Sequence, residues 1–214
     1  MIHSPESSHP LQRREREREQ RRADILAAAE SVFAAHDFHE ASIESIADAA
    51  GFAAGTIYLY FEDKDALYVA VLVEKITRML GFVEGRVRHA KEPLAALREA
   101  VAAQFEFHDQ HRAFFEILSR QRPGMSNGKG REWKRIRSCY ERHTELLCSL
   151  IEAAQQRRSL RKMDSRHLAF GLLGMILQLT REALRQHAEE PLANQTEFVM
   201  DLFLHGAGHE RRAA

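Results

Sequence analysis

The sequence is poor in several residue types, and each shortage excludes a class of protein. Its 214 residues include two cysteines, Cys139 and Cys148, in one predicted helix. Nine residues of helix rise about 13.5 Å, which is too far for a disulfide. No apolar run reaches the roughly 18 residues of a membrane span, and the polar N-terminus lacks the apolar core of a secretory signal. We therefore expect a cytoplasmic protein with reduced thiols and no membrane partner.

Positive charge is also missing from one long stretch. The 31 basic and 31 acidic residues cancel, so net charge predicts no partner. Between Ala23 and Asp63 there is no Lys or Arg, while eight residues are Asp or Glu. A basic cluster diluted by glutamates precedes this stretch, with Arg13, Arg14, Arg16, Arg18, Arg21 and Arg22. It is either a solvated lead-in to a helix or an arm that reaches phosphates or a minor groove.

Apolar residues recur at helical spacing along most of the chain, and no segment has the alternation of a strand. The first four helices are predicted to end near His36, Gly51, Phe61 and His89. Pro93 opens a fifth helix to about Gln121, a Gly-rich loop covers 122–131, and three more helices follow. The predicted fold class is therefore all-α. No Gly-rich phosphate loop, metal-ligand cluster or nucleophile motif indicates an enzyme or a cofactor.

Residues 42–61 have the spacing of a helix-turn-helix. Ser42 suits the N-cap of the first helix of the pair. Ala47 is small where the two helices approach each other, and Gly51 accepts the positive φ of the turn. Ile57 is placed to pack back against the first helix. The pattern favours DNA binding, although ordinary all-α segments produce it occasionally.

The wider stretch ASIESIADAAGFAAGTIYLYFEDKDALYVAVL resembles the TetR family of bacterial transcriptional repressors. The matching elements are the helix led by Ser42, Gly51, the segment GTIYLYF, and Lys64 followed by Leu67. The resemblance implies an N-terminal three-helix DNA-binding domain at 19–79. It also implies a helical ligand-binding and dimerisation domain at 80–214. The prolines, serines and alternating charges before the first domain predict a disordered arm at 1–18.

The resemblance assigns roles in DNA binding to seven residues. Ser42 and Lys64 would contact phosphates, and Thr56 a phosphate or a base edge. Tyr58 would reach the backbone through its hydroxyl and a thymine methyl through its ring. Gly55 would allow a close approach of the backbone. The full set is Ser42, Ala54, Gly55, Thr56, Tyr58, Tyr60 and Lys64, although the position of Tyr60 packs inward in the generic motif.

The sequence departs from the family pattern just before Gly55. Many members have Ser followed by Lys or Arg there, whereas this chain has Ala53 and Ala54. The third helix therefore loses an N-cap worth about 1 kcal/mol and a cation facing DNA. Base reading then depends on Thr56, Tyr58 and apolar contacts from Ala54.

The second domain is expected to hold a ligand pocket and a dimer interface. The pocket candidates are Phe105, Phe107, Phe114, Phe115 and Leu118, although aromatic residues at helical spacing are usually ordinary core. The expected ligand is a small apolar or aromatic molecule, such as an acyl chain, with the loop 122–131 gating access. The candidates for a four-helix dimer interface are Leu172, Met175, Ile176, Leu179, Phe198 and Leu202.

The leading hypothesis is a ligand-responsive repressor that binds a palindromic operator as a homodimer. Ligand binding would move the fourth helix, so that the two reading heads no longer match the half-site spacing. An alternative is a dimeric ligand-binding protein whose DNA binding has decayed, which the eight acids favour. His108 and His111 have a spacing that could hold a metal, but no Cys or carboxylate completes a site, so none is predicted.

Overall fold

The computed structural model describes residues 10–119, 131–186 and 188–206. In these ranges the chain is helical and contains no strand, which confirms the all-α fold class. The helices are α1 (Pro10–Ala35), α2 (Ile43–Ala50), α3 (Ala54–Tyr58), α4 (Lys64–Val87), α5 (Pro93–Gln110), α6 (Arg112–Ser119), α7 (Arg131–Gln156), α8 (Ser165–Arg185) and α9 (Gln195–His205). A 3₁₀ turn at Leu192–Asn194 precedes α9. No helix in the described ranges is long and apolar enough to cross a membrane.

The chain divides into two units, Met1–Leu72 and Val73–Ala214. The division lies within α4, seven residues before the predicted boundary after residue 79. The reason is that α4 continues through the boundary without a break that the sequence could mark.

The first helix begins earlier than predicted. Residues 10–18 were expected in a disordered arm, whereas α1 starts at Pro10 and is continuous to Ala35. The alternating Arg and Glu residues support this helix, because side chains four apart lie on one face. Arg13 Nε lies 3.4 Å from Glu17 Oε1 in such a pair. Residues 1–9 lie outside the described ranges.

The first unit has an apolar core built from α1, α2, α3 and the start of α4. Ile25, Ile46 and Ile57 are fully buried. Phe33 and Phe38 pack on Tyr68 with ring centroids 5.1 and 5.2 Å away. Burial raises the pKa of Tyr68 to about 12. This core holds the two helices of the helix-turn-helix at a fixed distance from each other.

The second unit packs α5, α7, α8 and α9 around one core. Its fully buried members include Val101, Phe105, Ile151, Leu172 and Val199. The predicted helix 94–121 is divided into two, because His111 leaves the helical conformation at φ −128° and ψ 36°. Arg112, the next residue, donates to Asp109 Oδ1 and to the backbone carbonyls of Ala188 and Glu190. These long-range bonds fix the break, and apolar periodicity does not reveal them.

Candidate functional site

The helix-turn-helix is held by caps that the sequence predicted. Ser42 Oγ accepts a hydrogen bond from the Ser45 N–H at 3.0 Å, and Ser45 Oγ accepts one from the Ser42 N–H at 3.2 Å. Ser45 thus closes a reciprocal capping box at the position that usually holds Glu. Gly51 ends α2 with φ 71°, the left-handed conformation that favours glycine.

Two large side chains at the end of the short helix α3 are exposed to solvent. Ile57 is fully buried and Phe61 nearly so, and these two positions anchor the segment. Between them Tyr58 is 54% exposed and Leu59 is 76% exposed. Leu59 was missed in the sequence analysis, although its place between two anchors four residues apart marks it as outward-facing. Ala53, at the N-cap, makes no side-chain cap, as predicted.

The other predicted DNA contacts have different surroundings. Ala54, Thr56 and Tyr60 are half-buried, as is Ser42. Gly55 is exposed, and a Cβ added to it would meet nothing within 4 Å. The fold of the chain itself therefore does not require glycine at this position. The roles assigned to these residues remain predictions.

Lys64 has partners inside the first unit. Its Nζ donates to the carbonyl oxygens of Phe38 and Ala41, each at 2.7 Å, and lies 4.4 Å from the Phe38 ring centroid. The ammonium therefore stabilises the loop between α1 and α2 by bonding to two of its carbonyl groups. An ammonium has three N–H donors, so a phosphate contact would use the third. The neighbouring Asp63 caps α4 by accepting from the Ala66 N–H at 2.7 Å, as predicted.

The arginines of the first unit lie on α1. Arg13, Arg14, Arg16, Arg18 and Arg21 are all exposed. Arg22 is half-buried, with its guanidinium carbon 5.4 Å from the Phe61 ring centroid. A cation therefore packs on the residue that anchors α3. Around α2 and α3 the acids Glu44, Asp48, Glu62 and Asp63 are exposed.

The second unit encloses a cavity of about 370 Å³. This volume lies within the range of small-molecule sites. Of the five predicted pocket residues, Phe115 lines it. Phe105 belongs to the core, Phe107 and Phe114 are buried beside Phe115 without lining the cavity, and the Leu118 side chain lies outside the described residues. Residues 122–130 of the predicted loop 122–131 are also outside them, whereas Arg131 begins α7.

Most of the cavity wall comes from helices that the sequence analysis did not assign to it. The apolar contributors, on α4, α6 and α8, include Ile76, Met79, Phe115, Phe170, Leu173 and Leu177. Tyr140 and Arg181 contribute polar side chains. These positions are spread over 109 residues of sequence, from Ile76 to Leu184. They become neighbours through tertiary packing, which apolar periodicity cannot predict.

Two buried histidines line the same cavity, with different environments. His108 Nδ1 hydrogen bonds to Thr180 Oγ1 at 2.8 Å. His143 is 3% exposed, and its Nε2 has no hydrogen-bond partner among the described residues. Burial lowers the pKa of His108 to about 3 and that of His143 to about 4, and the proximity of His143 lowers the pKa of His108 further. Both imidazoles are therefore neutral at physiological pH.

The signal for His143 was present in the sequence. It lies on the apolar face of α7, seven residues after Ile136 and four before Leu147, which are both buried. His111 Nδ1 lies 3.5 Å from Lys75 Nζ instead of joining the other histidines. Within the described ranges, no group of three or more His, Cys, Asp or Glu could hold a metal ion.

The predicted dimer residues divide into two groups. Leu172 and Ile176 are fully buried in the core of their own unit, so they cannot meet a partner subunit, and that part of the prediction is wrong. Their apolar spacing marked a core face. Met175, Leu179 and Leu202 are half-buried, and Phe198 is 56% exposed. Gly171 and Gly174 are exposed on α8.

An all-α chain with a capped helix-turn-helix before a helical unit that encloses a cavity has the architecture of a bacterial transcriptional regulator. The sequence profile for bacterial regulatory proteins of the tetR family matches residues 25–71. The match covers the helix-turn-helix, so residues 25–71 form a DNA-binding region of the tetR type.

The relatives found by comparison are regulators and not enzymes. The HTH-type transcriptional activator FasR of Mycolicibacterium smegmatis is 36% identical over 103 residues, which are 46% of this chain and 47% of that protein. The chain thus spans about half the length of this curated relative. The HTH-type transcriptional repressor NicS of Pseudomonas putida is 28% identical over 196 residues, 86% of this chain and 91% of that protein.

The fold has a close counterpart among solved structures. The transcriptional regulator FadR from Bacillus subtilis, solved in complex with stearoyl-CoA, matches with a TM-score of 0.77 and 19% identity. The match covers 87% of this chain and 99% of that one. At this identity the likeness establishes the shared fold.

Proposed function

We propose that this TetR-family regulator is a ligand-responsive repressor that binds a palindromic operator as a homodimer. The observation that carries the proposal is the exposure of Tyr58 and Leu59 at the C-terminal end of α3. Side chains this exposed leave much of their surface free to contact DNA. A tyrosine and a leucine on a recognition helix can contact phosphates and thymine methyl groups in the major groove.

The attraction to DNA comes mainly from α1 in this proposal. Affinity for DNA depends on cations that neutralise phosphates, and α2 and α3 contain none. Exposed arginines on α1 are the nearest alternative source. They lie along a helix and not in the disordered arm that the sequence analysis expected.

The cavity of the second unit is the proposed effector site. Its mainly apolar wall and volume of about 370 Å³ suit an elongated apolar ligand such as an acyl chain. Bacillus subtilis FadR, which shares the fold, was crystallised with stearoyl-CoA. Ile76 and Met79 of α4 line the cavity, and the same helix begins with Lys64 in the first unit. We propose that a bound ligand shifts this helix and changes the spacing of the two reading heads.

The proposed dimer interface uses the exposed side of α8 and α9. Phe198, Gly171 and Gly174 are exposed, and half-buried Met175, Leu179 and Leu202 extend the patch. Exposed glycines allow two helices to approach closely, and an exposed phenylalanine supplies apolar area. This set replaces the predicted one, without Leu172 and Ile176.

Selection from random duplexes tests the DNA-binding part of the proposal. The full chain should enrich a palindrome, and stearoyl-CoA added to the bound complex should release the DNA. No enrichment above a Tyr58→Ala control would favour the alternative, a ligand-binding protein that has lost DNA binding. The eight acids between Ala23 and Asp63 are the observation in favour of that alternative.

A further inference from the structure

One atom of the cavity wall has unmet hydrogen-bonding capacity. His143 Nε2 is buried and without a hydrogen-bond partner, alone among the buried side-chain nitrogen and oxygen atoms that the structure describes. Buried polar groups in folded proteins are paired in the large majority of cases, and an exception requires an explanation. The residue lines the cavity although this atom is itself covered, so a small rotation of the imidazole would bring it to a ligand in the cavity, the available partner.

Two neighbouring polar groups of the cavity wall are already hydrogen-bonded within the protein. His108 Nδ1 bonds to Thr180 Oγ1 at 2.8 Å, and Thr144 Oγ1 donates to the Tyr140 carbonyl at 3.0 Å. His143 Nε2 therefore differs from His108 Nδ1 and Thr144 Oγ1, which have protein partners. Burial keeps its pKa at about 4, so it meets the cavity as a neutral imidazole.

We infer that His143 Nε2 is a specificity-determining contact for a single uncharged hydrogen-bonding group, a hydroxyl or a carbonyl, carried on an apolar ligand. The inference rests on the proposed effector function of the cavity. A hydrocarbon would leave the imidazole nitrogen unpaired, which disfavours binding. A carboxylate would lose its hydration against an apolar wall, and a neutral imidazole does not compensate for that loss.

Arg181 makes the carboxylate a necessary part of the test. It also lines the cavity, and a guanidinium forms bidentate bonds with a carboxylate. Ligands of one chain length that differ in one group separate these possibilities. The probes are decane, decanol, methyl nonanoate and decanoate, each measured by displacement of an apolar fluorophore from the full-length protein.

The quantity to compare is the change in each affinity caused by His143→Leu, because differences in the hydration of the free ligands then cancel. The substitution should lower the affinity for decanol and methyl nonanoate about tenfold relative to the affinity for decane. This is the effect of one lost hydrogen bond. His143→Gln retains an amide that can donate or accept, so it should restore part of the preference. The melting temperature of His143→Leu should not fall, because the substitution removes an unpaired buried nitrogen.

A matched control separates hydrogen bonding from cavity shape. Leu177 lines the cavity and is 44% exposed, so Leu177→Ala should weaken all four probes by a similar factor without disturbing the core. Equal weakening of all probes by His143→Leu would overturn the inference and leave the effector site standing. If His143→Leu lowers the affinity for decanoate most, the inference is also overturned, in favour of a site that binds a carboxylate. Failure of every probe to bind the wild-type protein would overturn both the effector site and the inference.

Discussion

The two units of this protein differ in what they bury. The buried polar or charged side chains of the described residues all lie in the second unit: Lys75, Gln104, His108, His143, Thr144, Thr180 and Thr196. The first unit has an apolar interior, apart from the hydroxyl of Tyr68, and displays Tyr58 and Leu59 on its surface. Burying polar groups is unfavourable unless a partner satisfies them. The first unit is therefore organised around a surface, and the second around an interior site.

The same difference extends to electrostatics. In the first unit most charges are exposed, with arginines on α1 and acids around α2 and α3, while Arg22 and Lys64 are half-buried. In the second unit two imidazoles are held neutral by burial. Salt should therefore act on the function of the first unit, and acid on the stability of the second.

Acidification gives the largest expected effect. Each histidine has a folded pKa below its ordinary value of 6.5, so the unfolded chain binds more protons as the pH falls below 6.5. The contribution of each neutral histidine to the free energy of unfolding is fully present above about pH 6.5. It is lost as the pH falls toward the folded pKa, about 4 for His143 and about 3 for His108. At about 1.4 kcal/mol per pH unit, each histidine should lower the free energy of unfolding by about 2 kcal/mol between pH 6.5 and pH 5. Asp109 opposes the shift at His108 only in part.

Urea unfolding followed by the fluorescence of Trp133 measures this loss, because the chain has a single tryptophan and it lies in the second unit. His143→Leu should remove about half of the difference between pH 7 and pH 5. An unchanged difference in this variant would mean that other groups set the acid sensitivity.

Loss of the Tyr58 side chain should be the next largest effect. Tyr58→Ala should weaken operator binding at least 100-fold, about 2.7 kcal/mol, because the side chain is 54% exposed on α3. The melting temperature should stay within a degree or two of wild type. Tyr140 is the matched control, since it is 50% exposed but lies in the second unit. If Tyr140→Ala weakens DNA binding equally without ligand, the comparison between the units fails.

A methyl group at position 55 should have opposite effects on folding and on DNA binding. Gly55→Ala adds a Cβ that meets nothing within 4 Å, and alanine favours a helix by up to about 1 kcal/mol over glycine. The variant should be as stable as wild type or more stable. Operator affinity should fall about tenfold if the backbone approaches DNA here, which footprinting titrations measure. Unchanged affinity would remove Gly55 from the interface.

Removing the arginines of α1 should give the smallest change in DNA affinity per residue replaced. Replacing Arg13, Arg14 and Arg16 with serine should lower the slope of log affinity against log salt by roughly two to six per dimer. Glu15→Gln and Glu17→Gln supply the control, because they should raise affinity or leave it unchanged. Equal slopes for the wild type and the triple variant would mean that the phosphates are neutralised elsewhere.

The first unit was largely predictable because its determinants are local. Ser42 as a cap, Gly51 as the left-handed turn residue and Ile57 as the returning anchor are separated by a few residues, and the structure confirms the fold they define. What the sequence did not predict there involves longer range: Lys64 bonds to carbonyls more than 20 residues earlier. The start of α1 was misjudged because composition was given more weight than pairing at four-residue spacing.

The cavity of the second unit was not predictable in the same way. The sequence spacing predicts that Phe105, Phe107 and Phe114 form an aromatic cluster, but none of them lines the cavity. Whether an apolar residue fills a core or lines a cavity depends on how α4, α5, α6, α7 and α8 converge. A buried polar residue is the better signal, and His143 on the apolar face of α7 is an example.

One cross-measurement tests the central claim most directly: affinity for the selected operator without ligand, and affinity for decanol, each in Tyr58→Ala and in His143→Leu. The account predicts that Tyr58→Ala loses affinity for the operator and keeps the wild-type affinity for decanol. It predicts that His143→Leu keeps the operator and loses about tenfold in decanol affinity relative to decane. Wild-type operator affinity in Tyr58→Ala, or weakened operator binding in ligand-free His143→Leu, would contradict it.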